Sequence, residues 1–344
     1  GLIHGVFWLL REFILKIMGA TPDYLPLASD YAAIATVAIY ITAVTTVLQA
    51  VQLGFGNTAV IMRSNVAGNV VNVIVNALLI FGLGPFPRLG VVGAAVGTVI
   101  GTLVALCLTL MELKKDGLLI GGRWIPGAIY FRRILPIFGS VFSEQGFERI
   151  GMLIFARIAA DLGTVGFAVH NICMNICDIY YCFAVGFGKA SMVLAGQSCG
   201  RGSGFDWLRY RRVGIRWTLL FSTISFVLTV VFRKEIFSIY SDSPETLALS
   251  GTVMVLAALV SYPEAHALVA AGILRGSGRT ASVAAYSFVS VTILRPIMTA
   301  IFFYVLGLGI VGIWMALLFD QCIRASCAEF LVHRLDYMRA PAKA

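Results

Sequence analysis

The chain has 344 residues, of which 59% are hydrophobic and 12% are charged, and its mean hydropathy is +0.90. Because soluble globular domains contain about 25% charged residues, this composition excludes an ordinary soluble protein and indicates that lipid is the main solvent. The formal net charge of +9 would suit a nucleic-acid partner, but the positions of lysine and arginine point to membrane topology instead.

Nine stretches of the sequence are apolar and long enough to cross a bilayer as helices. A membrane helix needs about 20 apolar residues, and only helices and closed barrels satisfy their backbone hydrogen bonds in lipid. We therefore expect an all-α polytopic membrane protein. The predicted spans cover about 28–53, 62–84, 89–112, 134–159, 163–189, 214–237, 247–273, 281–306 and 309–333, after a partial helix at about 1–18.

Lysine and arginine are unevenly distributed between the predicted connections. Of the 26 basic residues, 18 fall in one set of alternate connections and 7 in the other set. Basic residues are enriched on the cytoplasmic side of membrane proteins. We therefore expect the connection at 114–133 and the C-terminus to be cytoplasmic, with the chain in the plasma membrane, the lipid bilayer as its surroundings and no nucleic-acid partner.

Short motifs recur in the two halves of the chain at a nearly constant offset. The stretch LGFGNT at 53–58 recurs as RGSGRT at 275–280, and LGVVG at 89–93 recurs as LGIVG at 308–312. Parallel repeats of this kind build many transporters, so we expect two six-helix lobes. Residues 123–222 have no earlier counterpart, which predicts that the first lobe lacks its first two helices and part of the third, and that the chain is an N-terminally truncated fragment.

The repeat also predicts the domain boundaries. Residues 1–113 form the remainder of the N-terminal lobe, with the end of helix 3 and helices 4–6. Residues 114–133 form a cytoplasmic linker between the lobes. Residues 134–336 form the C-terminal lobe, with helices 7–12, and residues 337–344 form a cytoplasmic tail.

The predicted span at 134–159 carries Glu144, Glu148 and Arg149 inside its apolar run. Ionisable residues at membrane depth are costly, rare and commonly functional. Glu148 follows Glu144 by one helical turn, so both carboxylates lie on one face, and Glu144 is expected at a depth of about 15 Å. A carboxylate there can exchange a proton or bind Na⁺. The alternative for Glu144 is an ion pair with an arginine inside the bundle, and for Glu148 a pair with Arg149 or Arg157.

Other polar residues lie within the predicted spans. Glu264 follows Pro263, which loosens a helix and frees a carbonyl, so Glu264 is a second candidate for proton exchange. His266 is expected to be a core histidine, and Asp320 and Arg324 to form a structural pair.

Two stripes of polar residues follow helical spacing. They either line an aqueous cavity or bond neighbouring helices to one another, and the sequence leaves both readings open. The stripes consist of Asn171, Asn175 and Asp178 in one span and Asn65, Asn69, Asn72 and Asn76 in another.

The sequence lacks the motifs of an ATP-driven pump or an enzyme. It contains no P-loop and no glycine-rich turn between a strand and a helix, and its four histidines are scattered. The seven cysteines form no CxxC pair, so we interpret them as small buried hydrophobic residues. We expect a non-enzymatic protein without a cofactor, which draws its energy from a gradient of H⁺ or Na⁺.

Three motifs together resemble the multidrug and toxic compound extrusion (MATE) family, within a superfamily that includes polysaccharide and lipid-linked-sugar flippases. They are FGLGPFPRLGVVGAA at 81–95, GFGKA at 186–190 followed by GQSCG at 196–200, and LRGSGRT at 274–280. The resemblance extends from the end of the third family helix to the twelfth. It implies a cation-coupling acid on helix seven, at Glu144, and a cation-site carboxylate on helix ten, near Glu264.

We therefore expect a monomeric secondary-active antiporter that exports drugs or lipophilic and cationic small molecules by alternating access. The candidate cation-coupling and cavity residues are Glu144, Glu148, Glu264, Asp178, Asn175 and Asn72, with Glu144 and Glu264 as candidate Na⁺ ligands. One alternative is a flippase for lipid-linked oligosaccharides. It predicts a wider and more cationic cavity, whereas the charges that we place inside the spans are mostly acidic. The other alternative is a truncated remnant without function.

Overall fold

The computed structural model describes residues 2–17, 22–118, 127–201, 206–240 and 243–338, and within these ranges all regular structure is helical. The helices are α1 (Leu2–Ile17), α2 (Leu25–Gly54), α3 (Thr58–Phe81), α4 (Val91–Lys115), α5 (Ala128–Ala160), α6 (Gly163–Gly200), α7 (Asp206–Val231), α8 (Arg233–Tyr240), α9 (Pro244–Gly276), α10 (Thr280–Ser287), α11 (Arg295–Ala300) and α12 (Gly309–Met338).

The expectation of a polytopic all-α membrane protein is confirmed. Eight helices among the described residues are long and apolar enough to cross a membrane, and they include every predicted span except 134–159. That span does form a helix, α5, but Glu144, Glu148 and Arg149 interrupt its apolar run. The predicted helix at 214–237 is wrong in one respect. Helix α7 ends at Val231, and the charged cluster that begins at Arg233 starts the separate short helix α8.

Helices α10 and α11 belong to one continuous span, Thr280–Val305. Two π-helical stretches, Phe288–Leu294 and Ile301–Val305, lie on either side of α11. Pro296 lacks a backbone N–H and cannot continue the α-helical ladder, which accounts for the wide turns that precede it. Such stretches are frequent at functional sites, and Arg295 lies directly after the first one.

The chain separates into two compact units, Gly1–Trp124 and Ile125–Ala344. The first unit contains α1–α4, in which α3 and α4 pack closely through small residues. A Cβ atom added to Gly101 would lie 2.7 Å from the carbonyl oxygen of Gly68, so neither position has room for a side chain. The second unit contains α5–α12. Its core includes Phe155, Phe237 and Trp314, all almost completely buried.

The predicted repeat is visible at the turns that end α2 and α9. Gly56 and Gly278 both have φ 82°, a left-handed conformation that glycine adopts without strain. In each turn the glycine N–H donates to the carbonyl oxygen three residues earlier, from Gly56 to Leu53 at 2.9 Å and from Gly278 to Arg275 at 3.0 Å. The repeated motif therefore encodes the same turn twice. The domain boundaries at 113 and 134 and the cytoplasmic positions of the linker and tail stay predictions.

Candidate functional site

The second unit contains a cavity of about 290 Å³ whose walls come from α5, α6, α9, the span Thr280–Val305 and α12. Apolar residues and methionines form part of the wall, as is common in small-molecule pockets. Six charged side chains from five helical segments also line it: Glu148, Arg149, Asp178, Glu264, Arg295 and Arg324.

Glu148 on α5 forms an ion pair across the cavity wall with Arg324 on α12. The Nη2 atom of Arg324 donates to Oε1 of Glu148 at 2.8 Å, and Gln145, also on α5, donates to Oε2 at 3.4 Å. Both oxygens of Glu148 are therefore engaged. The partners predicted from the sequence, Arg149 and Arg157, are wrong, because Arg149 is exposed to the cavity and Arg157 pairs with Asp161.

Glu264 and Asp178 are the two cavity acids without a bonded arginine or lysine in the described ranges. Glu264 accepts a hydrogen bond from Nε2 of Gln321 at 3.3 Å, and Pro263 precedes it inside α9. Asp178 on α6 is an exposed lining residue. The two carboxylates are thus available to a cation in the cavity.

Arg295 reaches the cavity from the start of α11 and is fixed by Asp320. Its Nε atom donates to Oδ2 of Asp320 at 3.0 Å, and the two side chains are only 4% and 1% exposed. Asp320 also accepts a hydrogen bond from Ser290, and the Nη1 atom of Arg295 lies 3.0 Å from Sδ of Met152. The predicted pair between Asp320 and Arg324 is therefore wrong: each residue is held by a partner on a different helix.

The charge of the cavity wall differs from our expectation. Three arginines face three acids, whereas the sequence led us to expect mostly acidic residues. From the sequence we expected Arg324 to pair with Asp320, and we did not identify Arg295 as a cavity residue. Arg295 did carry a signal, because it interrupts an otherwise uncharged run from 280 to 319.

Glu144 lies outside this cavity. Its side chain is 1% exposed and accepts a hydrogen bond on Oε1 from Nη2 of Arg275 at the end of α9, while Oε2 has no hydrogen-bond partner in the part of the chain that the structure describes. This arrangement matches the alternative in which Glu144 is paired inside the bundle. Its coupling role stays a prediction.

The two candidate asparagines are not part of the cavity wall. Asn175 on α6 is exposed outside it. Asn72 lies in the first unit, where it donates to Oγ1 of Thr98 on α4 at 3.3 Å and accepts from Nδ2 of Asn76 at 3.2 Å. The contacts of Asn72 are therefore those of a residue that bonds two helices together.

The other potential metal ligands of the chain are its histidines and cysteines. Nowhere in the described ranges do three or more His, Cys, Asp or Glu side chains cluster as metal ligands. His266, expected in the core, lies 3.0 Å from Oε2 of Glu329, which Arg211 also contacts. Cys173 and Cys177 are free thiols buried in the core of the second unit, as predicted. The prediction of burial is wrong for Cys107, Cys182 and Cys322, which are exposed.

Comparison with known proteins gives a consistent set of similarities. The MatE family model matches residues 1–78 and 136–301. The chain is 27% identical over 348 residues to the "Probable multidrug resistance protein NorM" of Rhizobium meliloti (strain 1021). The aligned region covers 96% of this chain and 73% of that protein.

Solved structures share the fold at lower identity. An outward-facing multidrug resistance MATE family transporter of the MOP superfamily matches with a TM-score of 0.89 at 18% identity, over 98% of this chain and 77% of that one. A MOP superfamily transporter from Pyrococcus furiosus matches with a TM-score of 0.89 at 16% identity, over 98% of this chain and 75% of that one. Its binding pocket is described as having reverse polarity.

Proposed function

The chain belongs to the MatE family of membrane transporters, and we propose that it is a secondary-active antiporter that exports drug-like lipophilic or cationic molecules in exchange for H⁺ or Na⁺. The observation that carries this proposal is the cavity of the second unit, where Glu264 and Asp178 lack a bonded basic residue in the described chain. The multidrug resistance name of the Rhizobium relative supports the substrate class.

Coupling requires that the driving cation and the substrate each change the affinity of the protein for the other. A ligand shifts a conformational equilibrium only by its different affinity for the two states. In our proposal, the driving cation binds at Glu264 and Asp178 while a cationic substrate occupies the same cavity, and their mutual repulsion makes entry of one favour release of the other. No cofactor besides the coupling ion is involved, and no enzymatic step is proposed.

A transport assay tests this function. In proteoliposomes containing the chain, we expect uptake of ethidium to respond to an imposed gradient of H⁺ or Na⁺, and Glu264→Gln to abolish this response. The matched control is Glu245→Gln, which changes an exposed glutamate near the start of the same helix. Gradient-driven uptake by Glu264→Gln at the rate of Glu245→Gln would contradict the proposal.

A second candidate function is a flippase for lipid-linked oligosaccharides. The observation that favours it is the presence of Arg149, Arg295 and Arg324 in the cavity wall, since arginine binds phosphate groups well. The similar transporter from Pyrococcus furiosus is described as having a binding pocket of reverse polarity. It is therefore a precedent for a transporter of this fold whose pocket charge differs. Translocation of a lipid-linked sugar diphosphate without ethidium transport would establish this function in place of the first.

The proposal also covers the oligomeric state, the membrane and the orientation of the protein. We propose a monomer in the plasma membrane, with the connection at 114–133 and the C-terminal tail in the cytoplasm, and with no nucleic-acid partner. Cysteine substitutions near each helix end, labelled from one side only, would test the orientation. Labelling of residue 337 from outside the cell would contradict it.

A further inference from the structure

Arg324 occupies a central position among the acids of the cavity. Its side chain is 14% exposed, and its Nε atom is buried without a hydrogen-bond partner in the described part of the chain. The charged and phenolic groups that interact with it come from its own helix and from three others: Glu148, Asp320, Tyr286 and Glu264.

Among these groups, Glu148 holds Arg324 by a direct bond. Asp320 is bonded to Arg295, and Glu264 is bonded to the neutral amide of Gln321. The pair at 2.8 Å between Arg324 and Glu148 therefore engages Arg324 while its Nε atom remains unsatisfied. One partner holds this arginine, and a second acid, Glu264, lies in the same cavity wall.

A guanidinium cannot lose its proton in a protein. A cation that enters the cavity therefore meets Glu148 already neutralised by a permanent positive charge. To bind at Glu148, the incoming cation must displace Arg324, and once displaced Arg324 repels the cation at short range.

We propose that Arg324 is a built-in competitor for cations at Glu148, so that Arg324 and a cationic substrate bind this carboxylate in turn. Return of Arg324 to Glu148 expels the substrate and gives two states of different cation affinity, as alternating access requires. Arg324 is thus a specificity-determining residue. This inference rests on the proposed function, because it assumes that the cavity receives cationic substrates.

Binding of a lipophilic monocation to the purified chain tests the competition. The probe is tetraphenylphosphonium, measured by equilibrium dialysis at constant pH and salt. We expect Arg324→Gln to bind it about tenfold more tightly than the wild type, because Glu148 becomes free. Glu148→Gln is expected to bind it about tenfold more weakly, because Arg324 stays in the cavity without its partner.

The control is Arg149→Gln, which removes the same charge from the same cavity wall without releasing a carboxylate. Its affinity should rise by a smaller factor than that of Arg324→Gln. An equal or larger rise for Arg149→Gln, or equal affinities of the wild type and Arg324→Gln, overturns the competition alone. Absence of binding by both the wild type and Arg324→Gln overturns the proposed substrate class as well.

A second variant keeps the test decisive where Arg324→Gln does not fold. Glu148→Gln combined with Arg324→Gln removes both charges of this pair, so neither residue is left as an unpaired ion. The proposal requires this double variant to bind the probe more tightly than Glu148→Gln, because it removes the released arginine. Equal binding by these two variants overturns the proposal.

Discussion

Arg275, in the last turn of α9, donates a hydrogen bond to Oε1 of Glu144 in the middle of α5, 131 positions earlier in the chain. Glu144 is 1% exposed and Arg275 is 25% exposed, so the pair is shielded at one end and partly hydrated at the other. It ties the turn encoded by the repeated motif to the helix that carries the cavity residues Glu148 and Arg149.

Removal of the Glu144 carboxylate tests whether this pair is structural. Breaking a buried pair at one partner lowers stability by about 3–5 kcal/mol, and we expect Glu144→Ala to lie near the lower value because Arg275 is partly exposed. Thermal melting in detergent would detect the loss. Glu144→Met combined with Arg275→Met should recover most of it, since both charges are then gone.

The same residue allows a functional comparison. If Glu144 carries the coupling role predicted from the sequence, Glu144→Gln loses gradient-driven ethidium uptake while keeping the wild-type melting temperature. The contacts of Glu144 lead us to expect that melting temperature and uptake fall together. Normal melting with abolished uptake would restore Glu144 as the coupling acid.

The pair between Arg295 and Asp320 should be sensitive to loss of either partner alone. Asp320→Ala leaves a guanidinium that is 4% exposed without its carboxylate, and we expect destabilisation of about 3–5 kcal/mol. Arg295→Met combined with Asp320→Leu should melt close to the wild type, because apolar residues replace both charges. A double variant that melts as low as Asp320→Ala would show that the pair itself, rather than the unpaired charge, decides stability.

Alanine substitutions at two glycines of α6 distinguish the effect of helix packing on stability from the effect of backbone flexibility. A Cβ atom at Gly188 would lie 2.8 Å from the carbonyl oxygen of Leu268 on α9, whereas a Cβ at Gly186 would meet no atom within 4 Å. We expect Gly188→Ala to lower the melting temperature, since a backbone carbonyl cannot easily move. Gly186→Ala should leave it unchanged or raise it, as alanine favours a helix by about 0.5–1 kcal/mol. Equal effects of the two substitutions would contradict the close approach of α6 and α9.

Asp161, which follows α5, gives a pH-dependent test. Tyr304 donates to its Oδ2 atom, and Arg157 donates to Oδ1 at 2.6 Å. These donors, Tyr304 above all, hold the pKa of Asp161 below its ordinary value of 3.8. Because the pKa of Asp161 is lower in the folded state, the ionised carboxylate contributes its full stability at pH values above the ordinary pKa. This stability is lost as the pH falls through the lower pKa of the folded state.

We therefore expect Tyr304→Phe to lower the melting temperature at pH 7, and the difference from the wild type to shrink as the pH falls below 3.8. The control is Tyr262→Phe, which removes a hydrogen bond of 3.1 Å to the neutral hydroxyl of Thr223. Its effect should not depend on pH over this range. A constant difference for Tyr304→Phe would show that its bond to Asp161 does not depend on the charge of the carboxylate.

The helices, the repeat and the family could be predicted from the sequence. These features are local: the length of an apolar run decides whether a helix spans lipid, and a glycine at a fixed position decides the turn after it, as at Gly56 and Gly278. The resemblance to the MATE family follows from such motifs and agrees with the family match at 1–78 and 136–301.

The partner of each buried charge could not be predicted from the sequence. Glu144 and Glu148 are one turn apart on α5, yet Glu144 is buried against Arg275 outside the cavity while Glu148 lines the cavity and binds Arg324. Spacing along one helix fixes the face of a side chain but not the helix that packs against it. The depth and rotation of α9 and α12 beside α5 arise from packing over the whole unit, and they selected the arginine that each carboxylate binds.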